Sequence, residues 1–216
     1  MDYIKEIANK IVQISGNYSA YAIFSDWVKA CAIAISNALE PDPEVKEKRE
    51  DEYMQIVAKH GKNMYVFQEM LSMLALALEE EMTDALGRIY MESDSGNKAT
   101  GQFFTPYHLA KLTAGLTVVG KIPDPPEKIK IREDACGGGA MLIAIAQTIK
   151  EMGIDYQTRL KITAKDLDWN GVYMTYLQLS LLGIDAVVMQ GDALAEQGDE
   201  ADKYRILYTP RARGMV

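Results

Sequence analysis

Lys128-Ile129-Lys130-Ile131-Arg132-Glu133-Asp134-Ala135-Cys136-Gly137-Gly138-Gly139-Ala140-Met141-Leu142 joins a short β-branched run to three consecutive glycines and then to an apolar helical pattern. It reads as strand, tight turn and helix. Ile129 and Ile131 alternate as in a buried strand, Gly137 to Gly139 remove the side chains that would block close backbone approach, and Met141 to Ile149 carries the helix away. Such a turn leaves unpaired N–H groups facing a ligand. Taken alone, it is also an ordinary tight connection in an α/β sheet. The spacing lacks the G-x-G-x-x-G fingerprint, and no Lys-Ser or Lys-Thr follows, so neither a nicotinamide cofactor nor a Walker loop is expected.

Downstream of this stretch the pattern is regular. Strands are expected at 160–165 and 186–190, with a further one at 204–208, and helices at 139–151 and 169–182. Alternation of this kind argues for a mostly parallel sheet with helices on its faces. Upstream, Pro123-Asp124-Pro125-Pro126 reads as a linker-like turn. Before it, Thr105 and Pro106 suit the N-cap and first residue of a helix that runs to about Val119 and is apolar on one side.

The first part of the chain is helical in pattern. Ile4, Ile7, Ile11 and Ile14 recur at helical spacing, and a second helix is expected from about Ser19 to Leu39. Pro41-Asp42-Pro43 ends it, and the charged run from Glu44 to Glu52 opens a third helix with a solvated face, ending near Gly61. His60 is read as a residue of that helix's C-terminal cap, and not as a ligand. Asn63 to Met91 is the longest periodic segment and is expected to be the main helix of this region. The polar stretch Glu92 to Lys98 marks a boundary, giving an N-terminal helical region at 1–98 and an α/β domain at 99–216.

Composition restricts the function classes. The 216 residues are 48% hydrophobic and 25% charged, as in a soluble globular chain. Cys31 and Cys136 stand in unrelated contexts and form no disulfide framework, so a reducing, cytoplasmic setting is expected. No signal peptide or membrane-spanning run is evident, and Glu79-Glu80-Glu81 with Asp84 lacks the histidines of a metal cluster. A net charge of −8 gives no global attraction to nucleic acid, so any contact with DNA needs a partner or a local basic patch.

Ligands of such sheets sit at the carboxyl ends of the strands. Three acidic residues meet that condition: Glu133 ends the first strand, Asp166 the second and Asp192 the third. A carboxylate after the second strand suits a ribose diol, since it accepts from both hydroxyls, and one after the third could accept from an exocyclic amine.

Gly101-Gln102-Phe103-Phe104-Thr105-Pro106 resembles the G-x-F/Y-F/Y-T-P signature of N6-adenine DNA methyltransferases of the type I restriction-modification group. Glu133-Asp134-Ala135-Cys136-Gly137-Gly138-Gly139-Ala140-Met141 is similar to that family's D/E-P-A-C-G-x-G motif, with Asp134 where proline is usual. Lys165-Asp166-Leu167-Asp168 and Gly191-Asp192-Ala193-Leu194 continue the family's order, so the resemblance runs over about residues 60 to 195. It implies a Rossmann-like domain that binds S-adenosylmethionine. Phe104 and Thr105 would approach the methionine end; Glu133, Ala135 and the Gly137 backbone would hold the amino-acid moiety. Asp166 would bind the ribose, Leu167 would pack on the adenine, and Asp192 and Ala193 would reach its amino edge.

The family's fourth strand ends in an Asn/Asp/Ser-Pro-Pro-aromatic motif that grips a flipped adenine. Tyr208-Thr209-Pro210-Arg211 lacks the amide or carboxylate acceptor, the second proline and the aromatic, so no catalytic residue is assigned and the domain is expected to be truncated before that motif. Two functions stay open: an adenine-N6 DNA methyltransferase of a restriction-modification or mobile-element system, reaching DNA through a partner subunit or a second copy, or a cofactor-binding interaction module without methyl transfer of its own. A methyltransferase acting on a small molecule or protein is a third.

Overall fold

A computed structural model of the chain describes residues 1–93, 105–195 and 202–215. It divides into two compact units: Met1–Glu81 with Ala85–Phe103, and Met82–Asp84 with Phe104–Val216.

The first unit is helical. Helices α1 (Tyr3–Ile14) and α2 (Ala20–Ala38) start where Asp2 and Ser19 accept backbone N–H groups as N-caps, and α3 (Pro43–His60) where Asp42 does so. α4 (Met64–Glu80) and α5 (Ala85–Glu92) complete the unit. Its core gathers Ile7, Ile11, Phe24, Trp27, Met70, Leu74 and Tyr90, all nearly inaccessible to solvent. Trp27 donates its indole N–H to the Phe67 carbonyl at 3.1 Å, so the largest buried side chain carries no unpaired donor.

Three expectations for this region change. The periodic segment 63–91 is not one helix: it stops at Glu80 and restarts at Ala85. The apolar spacing continues across the break, which hides it, but Thr83 and Asp84 are buried polar residues and the segment Met82–Asp84 belongs to the second unit. The charged run of α3 is not solvated throughout, because Arg49 is buried and pairs with Glu40 at 3.1 Å. His60 is more than a capping residue. It is buried, with Nε2 2.7 Å from Asp26 Oδ2 and its ring edge-on to Tyr18.

In the second unit α6 (Tyr107–Val118) precedes a sheet of β1 (Ile129–Glu133), β2 (Leu160–Asp166), β3 (Asp185–Gln190) and β4 (Ile206–Tyr208), in the order β1-β2-β3-β4. β1, β2 and β3 are parallel, and β4 returns antiparallel on β3. α7 (Ala140–Glu151) and the short α8 (Tyr156–Arg159) link β1 to β2, and α9 (Trp169–Leu181) links β2 to β3. Both crossovers step in the same direction, so the right-handed rule places α7 and α9 on one face of the sheet. The helical pattern opened at Thr105 and Pro106 begins one residue later than its capping signal: Pro106 is the N-cap, and Thr105 is exposed and caps nothing.

Arg49 and Glu40 test the first unit. Removing the guanidinium leaves a carboxylate with little solvent, so Arg49→Ala is expected to lower stability by about 3 to 5 kcal/mol, read from urea unfolding midpoints.

Candidate functional site

Parallel strands deliver their carboxyl ends to one side. Glu133 pairs with Ala164, two residues before Asp166, and Asp166 pairs with Gln190, two before Asp192, so the three carboxylates descend in steps along one edge of the sheet. The sheet register thus brings Glu133, Asp166 and Asp192 to one edge, each two residues further along than the one before. Each also organises backbone. Glu133 Oε1 accepts the Ala135 N–H at 3.3 Å, and Asp192 Oδ1 accepts from Leu194 at 2.8 Å and Ala195 at 3.3 Å. Asp166 does most: Oδ2 accepts the Gly137 N–H at 2.7 Å and Oδ1 the Asp168 N–H at 2.9 Å, while its carbonyl accepts from Gly191 at 2.9 Å.

The glycine turn follows from these anchors. The Cys136 N–H reaches the Lys165 carbonyl at 3.0 Å, tying the turn to β2, and Gly139 closes on the Cys136 carbonyl at 2.8 Å. Gly137 and Gly139 have φ of 50° and 91°, a region that side chains disfavour. Behind the turn stands α9. Thr175 Oγ1 donates to the Gly137 carbonyl at 2.8 Å, and Gln178 Nε2 donates to the Gly138 carbonyl at 2.8 Å and to Asp84 Oδ1 at 2.9 Å. A Cβ at Gly171 would lie 3.1 Å from the Gly137 carbonyl oxygen and 3.2 Å from Asp166 Cγ, tight enough that a side chain there requires the turn or α9 to give way. The Tyr107 hydroxyl lies 3.0 Å from the Met82 carbonyl and 2.8 Å from Gln147 Oε1, joining α6, α7 and the Met82–Asp84 segment.

Gly171, Thr175, Gln178 and Asp84 escape sequence reasoning. A signal for three of them exists: residues 171, 175 and 178 share one face of a helix that is otherwise almost wholly buried. A glycine and two polar side chains on a buried face require partners.

The remaining residues divide. Ala135 and Ala193 are exposed beside the turn and the β3 end, and Leu167 is 66% exposed next to Asp166, an apolar surface adjoining a carboxylate. Gln190 Nε2 donates to the Leu167 carbonyl at 2.9 Å, which fixes that loop. Thr105 stands at the start of α6, and Phe104 lies outside the described residues. Thr209 and Pro210 are elsewhere. Because β4 is antiparallel to β3, they fall at the amino end of β3, about 20 Å along the strand from Asp192. Thr209 is buried there, its hydroxyl donating to the Ile184 carbonyl at 2.7 Å and accepting the Ala186 N–H at 3.0 Å. It is a strand clamp. A separate groove of about 410 Å³ runs beside the first half of β1, lined by Val118, Lys121, Lys128 and Ile129 among others, away from the three carboxylates.

Residues 81–207 match the N-6 DNA Methylase family, more than half of the chain. The chain belongs to that family. The methylase-type α/β unit here therefore has its glycine turn, β2 carboxylate and β3 carboxylate within the matched span. Among solved structures, the chain is similar to a type I restriction-modification methyltransferase subunit from Streptococcus thermophilus, at 11% identity and a TM-score of 0.46 over 93% of this chain and 60% of that one. It is also similar to a Listeria monocytogenes protein described as a class I S-adenosylmethionine-dependent methyltransferase, at 14% identity and 0.46 over 90% and 54%. The chain thus spans somewhat more than half the length of these proteins. No curated protein matches it. Among the described residues no group of His, Cys, Asp and Glu is placed to hold a metal, and no helix is long and apolar enough to cross a membrane.

Two measurements follow from the turn. Gly171→Ala forces its Cβ against backbone and is expected to cost about 1 to 3 kcal/mol in urea unfolding. Burial, aided by the charges of Asp166 and Glu133 and opposed by a hydrogen bond with Thr175, pushes the Cys136 thiol up to about 12, and burial does the same to Cys31. The thiols of the unfolded chain ionise nearer 9, so above that pH the folded form binds more protons. Stability is therefore expected to fall as pH rises from about 9 towards 12, and a Cys31→Ala/Cys136→Ala variant should show a shallower fall in thermal melts over the same range.

Proposed function

We propose that the chain binds S-adenosylmethionine along the carboxyl edge of β1, β2 and β3, and acts as the cofactor-holding part of an adenine-N6 DNA methyltransferase of restriction-modification type. The observation that carries this reading is the stepped trio Glu133, Asp166 and Asp192 around a glycine turn whose close packing Gly171 permits. The residues fit such a ligand. An ionised carboxylate has about four acceptor sites, and Asp166 spends one on Gly137 and one on Asp168, leaving capacity for a ribose diol. Exposed Leu167 offers an apolar face for a purine, Asp192 with Ala193 faces its amino edge, and Glu133, Ala135 and the Gly137 backbone would hold the amino-acid end. Thr105 and Phe104 would complete that end. When bound, the sulfonium supplies an electrophilic methyl group. The chain's own part is to hold and orient it while α9, fastened by Thr175 and Gln178, keeps the turn rigid.

The same residues support a second reading, a cofactor-binding module that transfers no methyl group by itself. What favours it is the position of Thr209 and Pro210 at the amino end of β3, where Thr209 is buried as a strand clamp and no substrate amine could meet the site. DNA contact, with the chain's net charge of −8, would then come through a partner subunit or second copy.

Calorimetric titration with S-adenosylmethionine is expected to show binding by the wild type, weakened about 1 to 3 kcal/mol in Asp166→Ala and unchanged in Asp42→Ala, an N-cap of the helical unit. Absence of heat from a folded wild type would overturn cofactor binding. Incorporation of labelled methyl into DNA, by the chain alone and with neighbouring gene products, separates the two readings.

A further inference from the structure

The four-stranded sheet ends on one side at β1, which among the described residues pairs with β2 alone. An edge strand turns about half of its main-chain N–H and C=O groups away from its neighbour, and these are a template for another strand. Beside this edge runs the groove of about 410 Å³. Its wall is fastened: Arg159 donates to the carbonyls of Pro123 at 2.7 Å and Glu127 at 3.0 Å, and Lys128 Nζ donates to the Thr158 carbonyl, which ties the segment between α6 and β1 to α8. The groove is built before anything enters it.

Its lining has two characters. Ile129 and Ile131 are apolar, while Lys121, Lys128 and Lys130 stand against a single acid, Glu127, in a chain whose net charge is −8. Register sorts them by face. Ile129 lies opposite buried Leu160 and Ile131 opposite buried Ile162, on the face that α7 and α9 cover, whereas Lys130 lies opposite Lys161 on the other face. Both lysines are exposed, and like charges directly opposite each other destabilise a sheet. Lys161 has Asp185 on its far side; Lys130 has only the open edge. An acid opposite Lys130 on an added strand would complete the row, and apolar residues before and after that acid would extend the covered face.

A second copy does not meet this requirement. Two β1 strands paired antiparallel about Ile131 would oppose Lys130 to Arg132, and the sheet's other edge, β4, is bounded by Arg205 and Arg211. We propose that the outer edge of β1 receives an extended segment of a different protein chain, one that alternates apolar and acidic residues and joins the sheet as a further strand. Main-chain hydrogen bonds would give the affinity, and the acid facing Lys130 the register. The proposal does not rest on the cofactor reading.

The probe is a peptide of alternating valine and glutamate about eight residues long, within the span of an ordinary strand. Added to the full-length chain, it is expected to bind and to slow hydrogen exchange at the β1 amides that face away from β2, while the same peptide with lysine for glutamate should not bind. Lys130→Glu, a change at an exposed side chain, should leave thermal unfolding as in the wild type, bind the glutamate peptide about tenfold more weakly and accept the lysine peptide in its place. Absence of binding by the wild type, equal binding of the two peptides, or binding that leaves the β1 amides unprotected would overturn the proposal. So would a double-stranded oligonucleotide that displaces the peptide and loses affinity in Lys130→Glu, since the lysines would then serve phosphates.

Discussion

The contact between Asp166 and the Gly137 N–H, 2.7 Å long, bridges the end of β2 and the turn after β1. A carboxylate that accepts backbone N–H groups is a charge-assisted acceptor, worth more than a neutral one, and here it holds two elements at once. Around it the other contacts fall into place: the Lys165 carbonyl accepts the Cys136 N–H, the Thr175 hydroxyl donates to the carbonyl that Gly137 turns towards it, and α9 packs close where Gly171 has no side chain. The same oxygen atoms that shape the turn are those with capacity left for a ligand. In the proposed reading one residue therefore serves both the architecture and the ligand.

Sheet order decides what else can reach that edge. The β1-β2-β3 core is parallel and brings successive carboxylates to one side, whereas β4, by returning antiparallel, takes Thr209 and Pro210 to the other. The Thr209-Pro210 pair, which in sequence stands where the family's substrate motif is expected, is in space at the start of β3, with Thr209 a buried fastening there. Chain order suggests proximity to a site only when strand direction agrees with it.

Much of this was legible in the residues. Strands β1, β2 and β3 announce themselves by alternation, and an acid after each is informative because parallel topology sends all of them to the same edge. The parts that were not legible depend on long-range partners. Thr175 and Gln178 sit in a segment whose apolar neighbours dominate its pattern, and their partners lie across the fold, as far as Asp84. Helix periodicity ran unbroken from Asn63 to Met91 because the spacing of apolar residues survived the interruption, while the cause, buried Thr83 and Asp84, is a matter of partners and not of propensity. Arg49 and His60 show the same dependence: a charge in a charged run looks solvated until Glu40 is found opposite it, and a histidine in the last turn of α3 shows no partner in sequence until Asp26 is found beside it.

The two cysteines are distributed one to each compact unit, Cys31 in the helical one and Cys136 in the α/β one, and both are buried. A protonated, shielded thiol reacts only while its surroundings are transiently open, so the rate at which each is alkylated counts opening events of its own unit. Cys136 counts them at the glycine turn itself. The chain carries two internal clocks, which can be read apart by mass and which require no introduced probe, and ligands that quieten one without the other would reveal how far the two units breathe together.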